Sequence, residues 1–198
     1  MQSAPTSEIR GKVCEAYSAA AHSPTDKHPF PVGRAFAESL GYSAALLDIL
    51  PSSAVEAFAG VSNVSLFAEI PKGATVLDLG CGAGLDSLVA ARRIGPSGKV
   101  IGIDFSDIML RRARKAAQEA GVLNATFERA DAEHLPLDHA CIDVALVNGI
   151  FNLNPARESI FCELARVLRH GGVVYSAELI LANPLPPDAE QGDADWFA

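Results

Sequence analysis

Val76-Leu77-Asp78-Leu79-Gly80-Cys81-Gly82-Ala83-Gly84-Leu85-Asp86-Ser87 is the stretch on which the fold turns. From Thr75 to Leu79 the chain is β-branched or apolar apart from Asp78, the composition of a parallel strand covered on both faces. Gly80, Gly82 and Gly84 follow at alternate positions, so the backbone can turn sharply and a ligand can lie against bare main chain. Leu85 then opens a helix whose first N–H groups and positive dipole end face back into the turn. Strand, glycine turn and helix in that order predict the nucleotide crevice of a doubly wound sheet.

The glycine spacing narrows the ligand. A dinucleotide turn reads G-x-G-x-x-G, whereas this one reads G-x-G-x-G, with Ala83 and Leu85 beside Gly84. Asp78 stands two residues before the first glycine, where a carboxylate repels a pyrophosphate and attracts an ammonium group. The pair of features predicts an adenosine-type ligand that carries an amino acid and no phosphate, S-adenosylmethionine.

The remaining composition sets limits. A chain of 198 residues suits one domain with a short appendage, and 49% hydrophobic residues supply a core. A net charge of −8 disfavours an electrostatic grip on nucleic acid or on an anionic membrane. Residues 1–12 hold no apolar signal core, and no run approaches the ~18 apolar residues of a membrane span. Cys14, Cys81, Cys141 and Cys162 make no C-x-x-C pair. Without a secretion signal, that predicts reduced thiols, no metal site and a cytoplasmic location.

Three segments are expected. Residues 1–72 read as an N-terminal helical lid or acceptor-site cover, with helices over 7–21, 34–40, 43–50 and 52–59 and Ser43 and Ser52 as N-caps. Three prolines make 22–31 a loop. Residues 73–182 alternate strands (75–80, 99–104, 125–129, 142–148, 173–179) with helices (85–94, from Ser106 to 120, 154–168), which predicts an α/β, mostly parallel, right-handed sheet. In the last helix Ile160, Phe161, Leu164, Ala165 and Leu168 form the core stripe, ended by His170-Gly171-Gly172. The basic run 111–115 reads as a solvated helix face. Residues 183–198 are a Pro-rich tail with no element of their own.

Several polar residues fall at the crevice. Asp104 ends the second strand twenty residues after Gly84, where a carboxylate accepts from both ribose hydroxyls of an adenosine. Asp131 is placed to accept from an adenine amine, with the N–H of Ala132 donating to a ring nitrogen. Phe105 and Met109 supply apolar contact, ordinary core packing being the equal alternative for Met109. Asn148, ending the fourth strand, faces the same crevice. Tyr17, His22 and His28 are candidates for pocket wall or base.

Together, residues 76–87, 100–106, 131–136 and 164–172 resemble the class I S-adenosylmethionine-dependent methyltransferases. The finer resemblance is to the arsenite methyltransferase-like branch. It is carried by Gly84-Leu85-Asp86, Ala90-Ala91, the run 95–104, Glu133-His134-Leu135-Pro136, the run 148–153 and Arg166-Val167-Leu168. It implies a Rossmann-like core and S-adenosylmethionine as cofactor. It further implies contacts from Asp78, Gly80, Cys81, Gly82 and Gly84 of the turn, and from Asp104, Met109, Asp131, Ala132 and Asn148, with Asp86 assisting at the methionine end. The expected activity is methyl transfer to a small-molecule acceptor. Arsenite as acceptor and a non-catalytic cofactor-binding or dimerising domain stay open beside it.

Two departures bear on that choice. Arsenic methylation by the family uses cysteine thiolates, soft ligands for a soft centre. This chain has Asn148-Gly149-Ile150 after the fourth strand and no cysteine in 22–31, which leaves Cys14 alone placed to face an acceptor. Residues 180–198 are also too few for the family's last helix and strand pair. Either the chain is a fragment, or its sheet edge is closed otherwise, as in a homodimer.

Overall fold

The computed structural model describes residues 6–180, with side chains from residue 10 onward. Five strands form one wholly parallel sheet: β1 (Thr75–Leu79), β2 (Lys99–Asp104), β3 (Ala125–Arg129), β4 (Ile142–Asn148) and β5 (Leu168–Ala177), in the order β3-β2-β1-β4-β5. The expected doubly wound α/β sheet is therefore present. β1 is central, with Asp78 level with Gly102 of β2 and Leu146 of β4. The strand order reverses between β1 and β4, and a crevice opens beyond the carboxyl ends there.

Period-two alternation decides which helix each strand residue meets. Val76 and Val100 pack with Ala90, Ala91 and Ile94 of α6 (Leu85–Ile94). Leu77, Leu79, Ile101 and Ile103 point the other way, onto Ile160, Leu164 and Val167 of α8 (Arg157–Val167). α7 (Asp107–Glu119) starts where predicted, since Ser106 Oγ accepts from the Met109 N–H at 3.4 Å. It buries Met109, Leu110, Ala113, Ala116 and Ala117.

The N-terminal part is helical as read, in five pieces: α1 (Thr6–His22), α2 (Arg34–Ser39), α3 (Ala44–Asp48), α4 (Ser52–Val55) and α5 (Val64–Phe67). Ser43 caps α3, its side chain accepting from Leu46 N at 3.2 Å. Ser52 does not cap α4, because Pro51 takes the cap position and Ser52 is already helical. The sequence offered no periodic signal for the one-turn α5, which is held by burial of Val64.

The corrections cluster around α8 and β5. α8 begins three residues later than read, since Asn154 Oδ1 accepts the N–H of Ala156 at 2.8 Å in a local turn. Its buried stripe is Ile160, Leu164 and Val167. Ala165 is exposed, and Phe161, 53% exposed, stacks on Phe151 with centroids 4.5 Å apart. β5 begins at Leu168 rather than at 173. A register shift opposite Ile142 and Val144 takes up the intervening residues, with Gly171 at φ +81. The basic run is only partly a solvated face: Arg112 donates to Ala21 O and Arg114 to Phe127 O. The predicted tail, 183–198, lies outside the described residues. No helix among the described residues is long and apolar enough to cross a membrane.

Candidate functional site

A cavity of about 330 Å³ lies beyond the carboxyl ends of β1, β2 and β4 and beneath α1. Its floor is the glycine turn. Gly80 has φ +74, and a Cβ there would overlap the side chain of Ile150, so only glycine fits between β1 and the loop after β4. Gly80, Cys81 and Gly82 line the cavity and Gly84 does not. Gly84 has φ +86 as the N-cap of α6, and a Cβ on it would stand 3.0 Å from Ala113 Cβ. Two of the three glycines thus face the cavity, and the third brings α6 close to α7.

Asp104 ties the floor together. Its carboxylate is 7% exposed, with Oδ2 accepting from Gly82 N at 2.9 Å and Oδ1 from Ser106 N at 2.8 Å. Burial pushes its pKa up to about 6, against the pull of these main-chain bonds. Each carboxylate oxygen can accept again from the cavity side. Asp78 is also buried and accepts from Ser87 Oγ. Burial, and next the neighbouring Asp86, push its pKa up.

Asp86 and Asn148 line the cavity, yet their polar atoms are engaged by the N-terminal segment. Asp86 Oδ1 accepts from Tyr42 OH and from Ser65 N, and Oδ2 accepts from Asn148 Nδ2 at 2.9 Å. Asn148 Oδ1 in turn accepts from Val61 N at 2.8 Å and Ser62 N at 3.1 Å, while Nδ2 also donates to Ser62 O at 2.7 Å. Burial, then the Asp86 charge, raise the Tyr42 pKa far above its ordinary value, so the hydroxyl remains a donor. These two residues hold the segment 61–65, next to the cavity-lining Gly60, against α6 and β4.

Phe105, Met109, Asp131 and Ala132 line the side expected for adenine. Met109 lines the cavity and also packs with Ala21, Ala57 and Ala83, so its core-packing role is present. The loop after β3 is braced by α8. Glu163 Oε2 accepts from Leu135 N at 2.7 Å, and Arg166 donates to Leu137 O and Leu135 O at 2.7 and 2.9 Å. The Arg166 hydrogen bond pulls the Glu163 pKa down to about 2.

The opposite wall is mostly apolar: Val13, Cys14 and Tyr17 of α1, Phe58, Ile150 and Leu153. Tyr17 stacks on Phe30 with centroids 4.4 Å apart, and burial followed by the Asp104 charge drives its pKa up. His22 and His28 do not line the cavity; His22 is exposed, and His28 Nε2 lies 2.9 Å from Ser23 O. Of the four thiols, Cys14 and Cys81 reach the cavity, and Cys141 and Cys162 do not.

Sequence reading missed Arg10, Asn154 and Glu178 and gave Glu133 no role. Glu178 receives the N–H groups of Ile150, Phe151 and Asn152 at 3.1–3.3 Å and so fixes the loop after β4. A carboxylate near the end of the predicted last strand, 173–179, was its only signal. The described residues fit S-adenosylmethionine. Bare main chain at Gly80 and Gly82 accommodates close approach, Asp104 has acceptor capacity for a ribose, and the Asp78 carboxyl offers an acceptor for an ammonium group.

Comparison with known proteins agrees. Residues 70–196 match the family described as methyltransferase domain. An arsenite methyltransferase of Halobacterium salinarum is 37% identical over 155 residues, covering 77% of this chain and 39% of that protein. A demethylmenaquinone methyltransferase of Lactococcus lactis is 36% identical over 125 residues, covering 63% and 49%. The chain thus spans less than half the length of either relative. The crystal structure of an arsenic(III) S-adenosylmethionine methyltransferase from Chlamydomonas reinhardtii aligns with TM-score 0.65 and 32% identity over 72% of this chain and 50% of that one. This chain belongs to the class I S-adenosylmethionine-dependent methyltransferase domain family.

Proposed function

We propose that the chain transfers the methyl group of S-adenosylmethionine to a small acceptor that carries no negative charge. The observation that carries the reading is the Asp104 carboxylate, tied to Gly82 N at 2.9 Å on the cavity floor with acceptor capacity to spare. Asp104 would hold the ribose, Asp78 the ammonium group, and Asp131 with Ala132 the adenine. When bound, the cofactor supplies an activated methyl on a sulfonium centre. The protein's part is then to align the acceptor and exclude water. Tyr17, Phe58, Ile150 and Leu153 make a wall suited to that.

Charge selects the acceptor class. Only two cations line the cavity among the described residues, Arg10 and Arg129, and they are paired with Glu133 and Asp107. No histidine lines it to take a proton. An acceptor bearing a carboxylate or phosphate would meet Asp86 and Asp104 with no free cation to hold it. A neutral acceptor with a ready lone pair suits the wall better. Trivalent arsenic is the second reading, favoured by the names of the relatives and by Cys14 on the cavity wall.

The test is transfer of labelled methyl from S-adenosylmethionine across an acceptor panel. The panel holds neutral thiols and amines, arsenite with glutathione, and carboxylate-bearing amino acids. Label on a neutral acceptor, absent in Asp104→Ala, supports the reading. S-adenosylhomocysteine formed with no acceptor, or only with anionic ones, would sink it.

A further inference from the structure

Three walls of the cavity meet at one carboxylate. Glu133 stands in the loop after β3, directly after Ala132 and two residues after Asp131. Its Oε1 accepts from Asn154 Nδ2 at 2.8 Å and pairs with the guanidinium of Arg10 on α1. Arg10, Asn154 and Glu133 all line the cavity, so α1, the loop before α8 and the adenine-side loop are joined at this point. The Glu133 side chain is 9% exposed and that of Arg10 37%. Burial alone would raise the Glu133 pKa, but hydrogen bonds from Asn154 and Arg10 outweigh it and leave the group below its ordinary value.

The other end of α1 is fastened elsewhere. Ser18 Oγ lies 3.0 Å from Ser106 Oγ, Arg112 Nε donates to Ala21 O, and Ala20 and Ala21 are buried. Arg10 is near the opposite end, and its Nε is buried without a hydrogen-bond partner. The helix is thus anchored on α7 at its carboxyl end and held over the cavity at its amino end by the Arg10–Glu133 pair.

Resting on the cofactor reading above, we propose that Glu133 is a positioning residue through which α1 latches over bound S-adenosylmethionine. Asp131 and Ala132 are the residues assigned to the adenine, and the carboxylate that follows them grips the lid. A ligand that orders this loop therefore strengthens the grip on α1, and a gripped α1 slows the ligand's escape. Thermodynamic reciprocity requires both effects or neither. The latch acts on departure more than on arrival, as gating by a closing element does.

The test measures binding and dissociation of S-adenosylhomocysteine by stopped flow. It compares the unaltered chain with Arg10→Ala, Glu133→Gln, the double variant and the exchanged pair Arg10→Glu with Glu133→Arg. Each single variant is expected to dissociate about tenfold faster, and the double no faster than either single, because both remove the same contact. The exchanged pair should recover most of the loss. Added salt should speed release from the unaltered chain and not from Arg10→Ala. Melting curves check that each variant folds, and Arg10→Gln, which keeps much of the side-chain length but not the charge, serves if Arg10→Ala does not. Single variants within twofold of the unaltered chain, or effects that multiply in the double, overturn the latch. Failure of the unaltered chain to bind at all overturns the cofactor reading instead, and the latch with it.

Discussion

The main-chain nitrogen of Gly82 lies 2.9 Å from Oδ2 of Asp104. One hydrogen bond thus joins the turn after β1 to the end of β2, and it does so on the floor of the cavity. The same carboxylate orders the turn and, in the proposed function, receives the ribose.

Asp104→Ala should therefore weaken S-adenosylhomocysteine binding at least about thirtyfold, since hydrogen bonds to a charged group contribute roughly 1.5–3 kcal/mol each. Asp104→Asn, which keeps the volume and loses an acceptor, should weaken it about tenfold. Calorimetry on the two variants decides; a loss under threefold in Asp104→Ala would remove Asp104 from the site.

pH acts through the same group. Asp104 titrates at about 6 when folded against an ordinary 3.8, so the native state takes up the proton first. Its ionised form is then destabilising: stability rises as pH falls from 6 toward 4, and the burial penalty, roughly 3 kcal/mol, is fully present above 6. Asp78 is shifted in the same direction, and Tyr17 and Cys81, which feel the Asp104 charge, stay protonated through this range. Ligand affinity runs the other way, because a protonated carboxyl has surrendered an acceptor, and it should decline below about pH 6. Melting and binding curves from pH 5 to 8 test both signs, and Asp104→Asn should lose the step near 6.

Gly84 and Gly121 make a contrasting pair. Both have positive φ, +86 and +63, but a Cβ at Gly84 meets Ala113 Cβ at 3.0 Å whereas one at Gly121, at the end of α7, meets nothing within 4 Å. Gly121→Ala should cost about 1 kcal/mol from backbone strain alone, and Gly84→Ala roughly 3 kcal/mol. Urea denaturation gives the difference; equal losses would mean that α6 and α7 can part freely.

Asn148 offers a charge test of the segment it holds. Asn148→Asp would set a carboxylate against Asp86 Oδ2, which now receives Nδ2 at 2.9 Å. It should destabilise by several kcal/mol at pH 8 and by less at pH 5.5, since protonation relieves the like charges. Asn148→Ala, which leaves Val61 N and Ser62 N without their acceptor, should cost about 2–4 kcal/mol with no such pH trend. Melting at the two pH values separates them.

The core was legible because strand, glycine turn and helix leave local signatures. β2 and β3 and the helix over 85–94 fall on the bounds read from pattern alone. The errors arise where pairing overrides pattern. His170-Gly171-Gly172 looked like a helix stop, but the chain had already left the helix at Leu168 and bulges along β4. Phe161 looked like core and instead stacks on Phe151 at the surface. In the site, residues on strand ends could be placed because the sheet's topology fixes where they point. Arg10, Asn154 and Glu178 could not, since their partners lie 21 or more residues away along the chain, at Glu133 and at Ile150 to Asn152.

The central claim is that the cavity above Gly82 and Asp104 takes an adenosine bearing an amino acid rather than a dinucleotide. Calorimetric titration of the chain with S-adenosylhomocysteine and, separately, with NADH tests it most directly. Micromolar, one-to-one binding of the first and no heat from the second is the predicted result. Binding of NADH, or of neither, would contradict it.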